Sequence, residues 1–297
     1  MIDLAVVGLI SAPQGALGTL TRAAVEDGSD IHIRDTVYRI VLLIGLVAVA
    51  WFIVKAQARR VDGRARWIYL RLDPTVQAIT MWIRNSPATF IYMFAWTATS
   101  IIVQGAPAPL ANALDVSNST NIVGIITQPG RVLMASSLIV ADNGFAFMTY
   151  VVVYVMITAR LEQRLGSARI VIVAVASHVL GSLLTVGAET VLIQAEILPK
   201  TTVITADVGV SYVMVGTCAG YMFFISRTWR WWYYAALFVG LVLPVLVVRD
   251  IWSLGHLMAA TIGLITTAIV RRWGVRPDLA WRTLVRSAQP RALPTWS

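Results

Sequence analysis

Seven apolar stretches of 16 to 21 residues recur between Val37 and Val270, and this recurrence limits the fold more than any other feature. Crossing the ~30 Å hydrocarbon core of a bilayer takes ~20 apolar residues in a helix. The stretches run roughly over 37–54, 87–104, 144–159, 170–190, 207–226, 233–248 and 251–270. Only 13% of the residues are charged, against roughly 25% in an average soluble domain. The pattern predicts an all-α polytopic protein of the cell membrane, with the lipid bilayer as its first partner.

Residues 1–20 are apolar but broken by Pro13, Gly15 and Gly18, and are expected to form an interfacial or partly inserted helix. The stretch 67–84 mixes apolar and charged positions and is expected to lie along the surface. The start shows no basic region or small-residue cleavage site, so no cleaved signal peptide is expected. Three parts follow: an N-terminal extension over 1–84 with one transmembrane helix, a membrane core over 85–272, and an Arg-rich tail over 273–297.

The formal charge of +9 is distributed as a topology signal and not as a nucleic-acid surface. All 24 basic residues except Lys55 and Lys200 are Arg, a usage that points to a GC-rich bacterial genome. Eighteen fall in alternate connections and the C-terminal tail, while only Arg131, Lys200 and Arg249 occupy the opposite ones. The imbalance puts both ends of the 85–272 core in the cytoplasm. Cys218 is the single cysteine, which rules out an intrachain disulfide, and no cofactor or metal is expected.

With that orientation the fifth and seventh stretches run in the same direction. Ser211 lies about four residues into the one and His256 about five into the other. At ~1.5 Å per residue both sit roughly 6–8 Å below the outer surface. Equal depth is what a serine nucleophile and its base require. Gly255, Ala259, Ala260 and Gly263 flank the histidine with small side chains, as do Gly216 and Gly220 beyond the serine, and such faces let membrane helices approach closely. The plainer alternative is that Ser211 bonds a backbone carbonyl and His256 is interhelical glue. His178, mid-span with no serine at matching depth, is read as packing or interhelical bonding. Asp207 is expected to cap the fifth helix.

Gly209-Val210-Ser211, with Gly216 behind it, resembles the G-x-S motif of rhomboid intramembrane serine proteases. His256, Ala259 and Gly263 resemble the A-H-x-x-G-x-x-x-G of that family's last core helix. Glu162, Leu165, Gly166 and Ser167 are similar to its E-x-x-L-G-S, with Ser177 and Gly181 following, and Arg131 resembles the arginine of its W-R motif. The likeness covers roughly residues 85–272. It implies a rhomboid-like six-helix core, here with one additional N-terminal transmembrane helix, and a Ser211/His256 dyad cutting transmembrane segments of client proteins.

The same comparison exposes departures. The family's H-x-x-x-N on the second core helix falls on Ala146 and Tyr150. Removing one oxyanion donor costs ~10²–10³ in rate. The Ser211 backbone N–H remains as an oxyanion donor, and Tyr150 or Asn143 are the candidate substitutes. Tyr212 also replaces the small residue that usually follows the serine. An inactive pseudoprotease that binds transmembrane clients, or serves as an assembly subunit, is therefore the competing expectation. A transporter would need midplane charges or repeat symmetry, and neither is visible; the oligomeric state is open.

Overall fold

The computed structural model describes residues 30–60, 63–140, 145–205, 207–248 and 250–277. Residues 1–20, Asn143 and the tail beyond 277 lie outside these. Among the described residues the secondary structure is helical throughout, with no strand. The first helix, α1 (Asp30–Ala58), presents Leu42, Ile44, Leu46 and Phe52 outward, as a helix facing hydrocarbon does. It meets α2 (Arg64–Arg84) through Trp51 stacked on Tyr69 at 5.5 Å.

Helix α2 buries Tyr69 and Asp73 on one side and Ala78 and Trp82 on the opposite one, while Arg64, Arg66, Arg71 and Arg84 are exposed. It then turns by 89° into α3 (Pro87–Gly105). The turn has a local cause. Pro87 pushes the preceding residue out of the α region, and Ser86 sits at φ −138°, ψ 51°. Side chains hold the carbonyls at the end of α2: Ser86 Oγ donates to Trp82 O at 2.6 Å, and Asn85 Nδ2 donates to Met81 O at 2.7 Å beside its own backbone N–H at 3.0 Å.

After α3 come three short helices, α4 (Ala108–Ser117), α5 (Ile122–Thr127) and α6 (Pro129–Ser136). The next crossing is not a regular helix. It runs as α7 (Phe145–Val153), a π turn over Tyr154–Thr158, and α8 (Ala159–Leu165). A π turn misaligns backbone carbonyls, and the Trp82 indole donates to one of them, Val155 O, at 3.1 Å. Gly166, at φ +88°, makes the corner into α9 (Ser167–Gln194).

The remaining helices are α10 (Val210–Tyr221), α11 (Arg230–Leu237), α12 (Leu243–Val247) and α13 (Ile251–Val270), with a second π turn over Phe238–Val242 between α11 and α12. Every apolar stretch read from the sequence contains helix, but not equally. Val41–Ala58, Ser167–Gln194, Arg230–Val247 and Ile251–Trp273 are each long and apolar enough to cross a membrane, and the bent pair α2–α3 makes a fifth candidate. The stretch 207–226 is longer than the helix it holds: α10 has 12 residues, or roughly 18 Å.

Helices α9, α10 and α13 pack most extensively and form the centre. Small residues set their spacing. A Cβ at Gly263 would stand 2.3 Å from Gly216 O, and one at Gly216 would stand 2.1 Å from Ser177 Oγ. Gly220 faces Thr267, and Gly181 faces the backbone of Ala259. Positions 212, 216 and 220 thus meet 255, 263 and 267 in rising order, so α10 and α13 run parallel. Thr185 meets Tyr212 while Ser177 meets Gly216, so α9 runs antiparallel to both.

Candidate functional site

The entry to α10 is where the candidate residues gather. Helix α10 starts at Val210 with Gly209 as its N-cap and no capping side chain. This corrects the expectation for Asp207, which lies too far upstream to cap. Its carboxylate instead accepts from the Tyr212 hydroxyl at 2.8 Å and from Thr120 Oγ1 at 3.2 Å, while its backbone N–H donates to Ser119 Oγ at 2.7 Å. Thr120 N–H also donates to Asp207 O at 2.8 Å. Asp207 therefore ties the segment before α10 to the α4–α5 connection. The capping role falls to Asp250, whose Oδ1 accepts from Ser253 N–H at 2.6 Å at the start of α13.

Ser211 is the second residue of α10 and is buried. Ser211, five residues before Gly216, lies about 140° around the helix from it and so off the Gly216/Gly220 face. Its hydroxyl donates to Val208 O at 3.3 Å. The helical ladder starts with Val213 N–H to Gly209 O at 3.2 Å. The Ser211 N–H therefore belongs to the first turn, whose donors have no partner within the helix.

His256 lies beside this turn. Its ring stands 5.6 Å from that of Tyr212, tilted by 59°, and a Cβ on the adjoining Gly255 would lie 2.1 Å from the Tyr212 hydroxyl. Tyr212 is thus wedged between α9, α13 and Asp207, and it occupies the space that the missing side chain of Gly255 leaves. Tyr150 is half-buried and packs against the cluster of Trp96, Phe147, Tyr154 and Val210. Tyr154, one turn on, donates to Val210 O at 2.8 Å and fixes the start of α10 from the other side.

His178 makes the interhelical bond and packing expected of it, but the expectation of no serine at its depth is corrected. A serine does match its depth: Ser136, at the end of α6, has its Oγ 3.3 Å from His178 Nε2. Leu133 O lies 2.7 Å from the same nitrogen. A carbonyl only accepts, so Nε2 carries the proton and Nδ1 is bare. The bare edge is buried against Gly209, where a Cβ would stand 2.0 Å from Cε1 and 2.1 Å from Nδ1. Gly209 N–H in turn donates to Ser136 O at 2.9 Å. The glycine of Gly209-Val210-Ser211 is required because an imidazole fills the space beside it. No spacing rule could have found this, since Ser136 lies in a connection whose depth the sequence does not reveal.

The other motif residues sit away from the serine. Glu162 is fully buried, and its carboxylate accepts from Ala88 N–H at 2.9 Å, Thr89 N–H at 2.7 Å, Thr89 Oγ1 at 2.7 Å and Ser167 Oγ at 2.6 Å. It closes the N-terminus of α3, where a negative charge is favoured. Gly166 is pressed by the Arg276 guanidinium, 3.0 Å from where its Cβ would be. Arg131 is exposed, with Nη1 donating to Gln128 Oε1 at 2.8 Å and Nη2 to Asn118 Oδ1 at 3.3 Å, which joins α6 to the end of α4. No group of His, Cys, Asp and Glu suited to a metal ion occurs among the described residues.

A family model described as rhomboid-like protein matches residues 81–275, well over half of the chain. Neither a curated protein nor a solved structure matches it. The match spans the bent α2–α3 junction, the Glu162 corner and the α9–α10–α13 centre together. With that coverage and several membrane-length helices, this chain is a multi-pass membrane protein that belongs to the rhomboid-like protein family.

Proposed function

We propose that the protein is an intramembrane serine endopeptidase acting on transmembrane segments of other proteins. The observation that carries this reading is the parallel packing of α10 on α13, which sets Tyr212 against Gly255 and His256 at the turn that contains Ser211. In this reading Ser211 Oγ releases its bond to Val208, attacks the scissile carbonyl carbon and gives its proton to His256. His256 then passes the proton to the leaving amine as the C–N bond breaks, and a water hydrolyses the acyl-enzyme by the reverse proton path. The first-turn N–H of Ser211 donates to the oxyanion, helped by the positive end of α10. Tyr150 and Asn143 are the proposed supplements in place of the missing His/Asn pair. The arginine-rich ends of the core face the cytoplasm, so cleavage falls near the outer face.

The test is labelling of the purified full chain with a fluorophosphonate probe, beside Ser211→Ala and His256→Ala. Labelling that disappears in both variants supports a working dyad. Equal labelling of Ser211→Ala would end the reading.

A second reading has its own observation. Tyr212 is fully buried against His256 and is held by Asp207, Thr185 and the open side of Gly255. Such a plug suits a client-binding pseudoprotease. A folded protein that never takes the probe, yet still retains a transmembrane client after both dyad residues are replaced, would favour it.

A further inference from the structure

A groove of about 470 Å³ runs between α3, α6 and α9. On α9 it extends from Ile170 to Val179, a rise of about 14 Å, which is close to half of the ~30 Å hydrocarbon thickness. Its rim residues Met134, Val171 and Val175 are exposed apolar side chains, so the opening faces lipid.

Every polar side chain that lines it is engaged within the protein. Thr89 is held by Glu162, Tyr92 donates to Ser137 O, Ser137 donates to Met134 O, Thr158 pairs with Thr217, and His178 donates to Leu133 O. The bare nitrogen of His178 faces Gly209. The groove therefore offers hydrogen bonds to no polar ligand. The groove is also short for a spanning helix, which needs ~20 residues or ~30 Å, about twice its length. An extended hydrocarbon chain roughly 5 Å across, given carbon contacts at ~4 Å, needs about 270 Å³.

Charge marks one end. Ala88 and Ile170 line the groove where it reaches the arginine-rich end of the bundle. Arg84, exposed at the end of α2, stands four residues before Ala88, and Arg169 immediately precedes Ile170. We propose that the groove is a binding site for one acyl chain of an anionic phospholipid from the leaflet at the arginine-rich end, with its headgroup against Arg84 and Arg169.

The experiment uses the full chain in nanodiscs containing phosphatidylglycerol with a mid-chain diazirine, and maps adducts by mass spectrometry after illumination. Adducts concentrated at Met134, Val171 and Val175, and lost from Val171 in Val175→Trp, are the expected result. Adducts spread evenly over these and the equally exposed Leu246 and Val247 would overturn the site. The headgroup is read by competition with phosphatidylcholine of the same chains, using Arg84→Gln, because Arg169 also donates to Gly274 O and, at 3.1 Å, to Trp273 O. Preference for the anionic lipid should fall about fivefold with this one arginine removed. Equal binding of the two lipids by the unaltered chain would refute the headgroup assignment. Displacement of the lipid chain by an added transmembrane peptide would reassign the groove to a protein. None of these readouts depends on Ser211 or on proteolysis.

Discussion

Two buried polar clusters stand at opposite ends of the bundle, and they are built on different principles. At the Glu162 corner four donors converge on one carboxylate at 2.6–2.9 Å, two of them backbone N–H groups of α3. At the entry to α10 the Ser211 hydroxyl holds only a carbonyl three residues back, at 3.3 Å, and His178 keeps a bare buried nitrogen. The first cluster is closed: removing any member leaves buried groups unpaired, which makes it a fastener between helices. The second keeps its serine weakly committed. A hydroxyl that must exchange partners during a reaction has to be weakly held, whereas a structural carboxylate in a membrane has to be fully satisfied.

The contrast breaks most visibly if the closed cluster is opened. Glu162→Ala leaves the Ala88 and Thr89 N–H groups and two hydroxyls buried without an acceptor. At ~1–3 kcal/mol per buried unsatisfied group after partial relaxation, a loss of about 3–5 kcal/mol is expected. Thermal unfolding in detergent micelles would show it, and a variant as stable as the parent would contradict the fastener role.

The central packing gives the next effect. Gly263→Val drives a branched side chain into the Gly216 backbone, and overpacking of this kind costs typically 1–3 kcal/mol or more. The same melts should rank it just below Glu162→Ala. Gly209→Ala is smaller and sharper, because its clash is with one ring. About 1–2 kcal/mol should be lost, and combining it with His178→Ala should recover part of that loss. Strict additivity in the double-mutant cycle would mean that the imidazole is not the obstacle.

Ser211→Ala should move stability least, by under about 1 kcal/mol, since it removes one long hydrogen bond. If instead it destabilises as much as Glu162→Ala, the serine belongs to the closed class and the distinction between the two clusters collapses.

The sequence carried the helices, their alternation and the small-residue faces well, because apolar length and Gly spacing are direct consequences of bilayer thickness and close approach. It also carried Glu162 and Gly166 as motif residues through the family resemblance, though not their task of closing α3 and turning into α9. Three things escaped it, each for a reason. The π turns at Tyr154–Thr158 and Phe238–Val242 contain no proline to announce them. Asp207 looked like a cap because the true start of α10 is decided from outside, by Tyr154 and Ser136 bonding the backbone and by the His178 ring packed on Gly209. His178 looked isolated because its partners come from α6, a short helix that reaches inward from a connection.

Helix α10, at 12 residues and walled in by α9 and α13, has a further consequence for how the molecule is made. A segment of this length is a core helix and not a self-sufficient membrane span. During synthesis it cannot be handed to the bilayer alone when it emerges. Its burial is complete only once α13, about 30 residues later in the chain, packs on it. The part of the chain that holds Ser211 is thus the last to find its surroundings, and a protein truncated before α13 would leave it stranded.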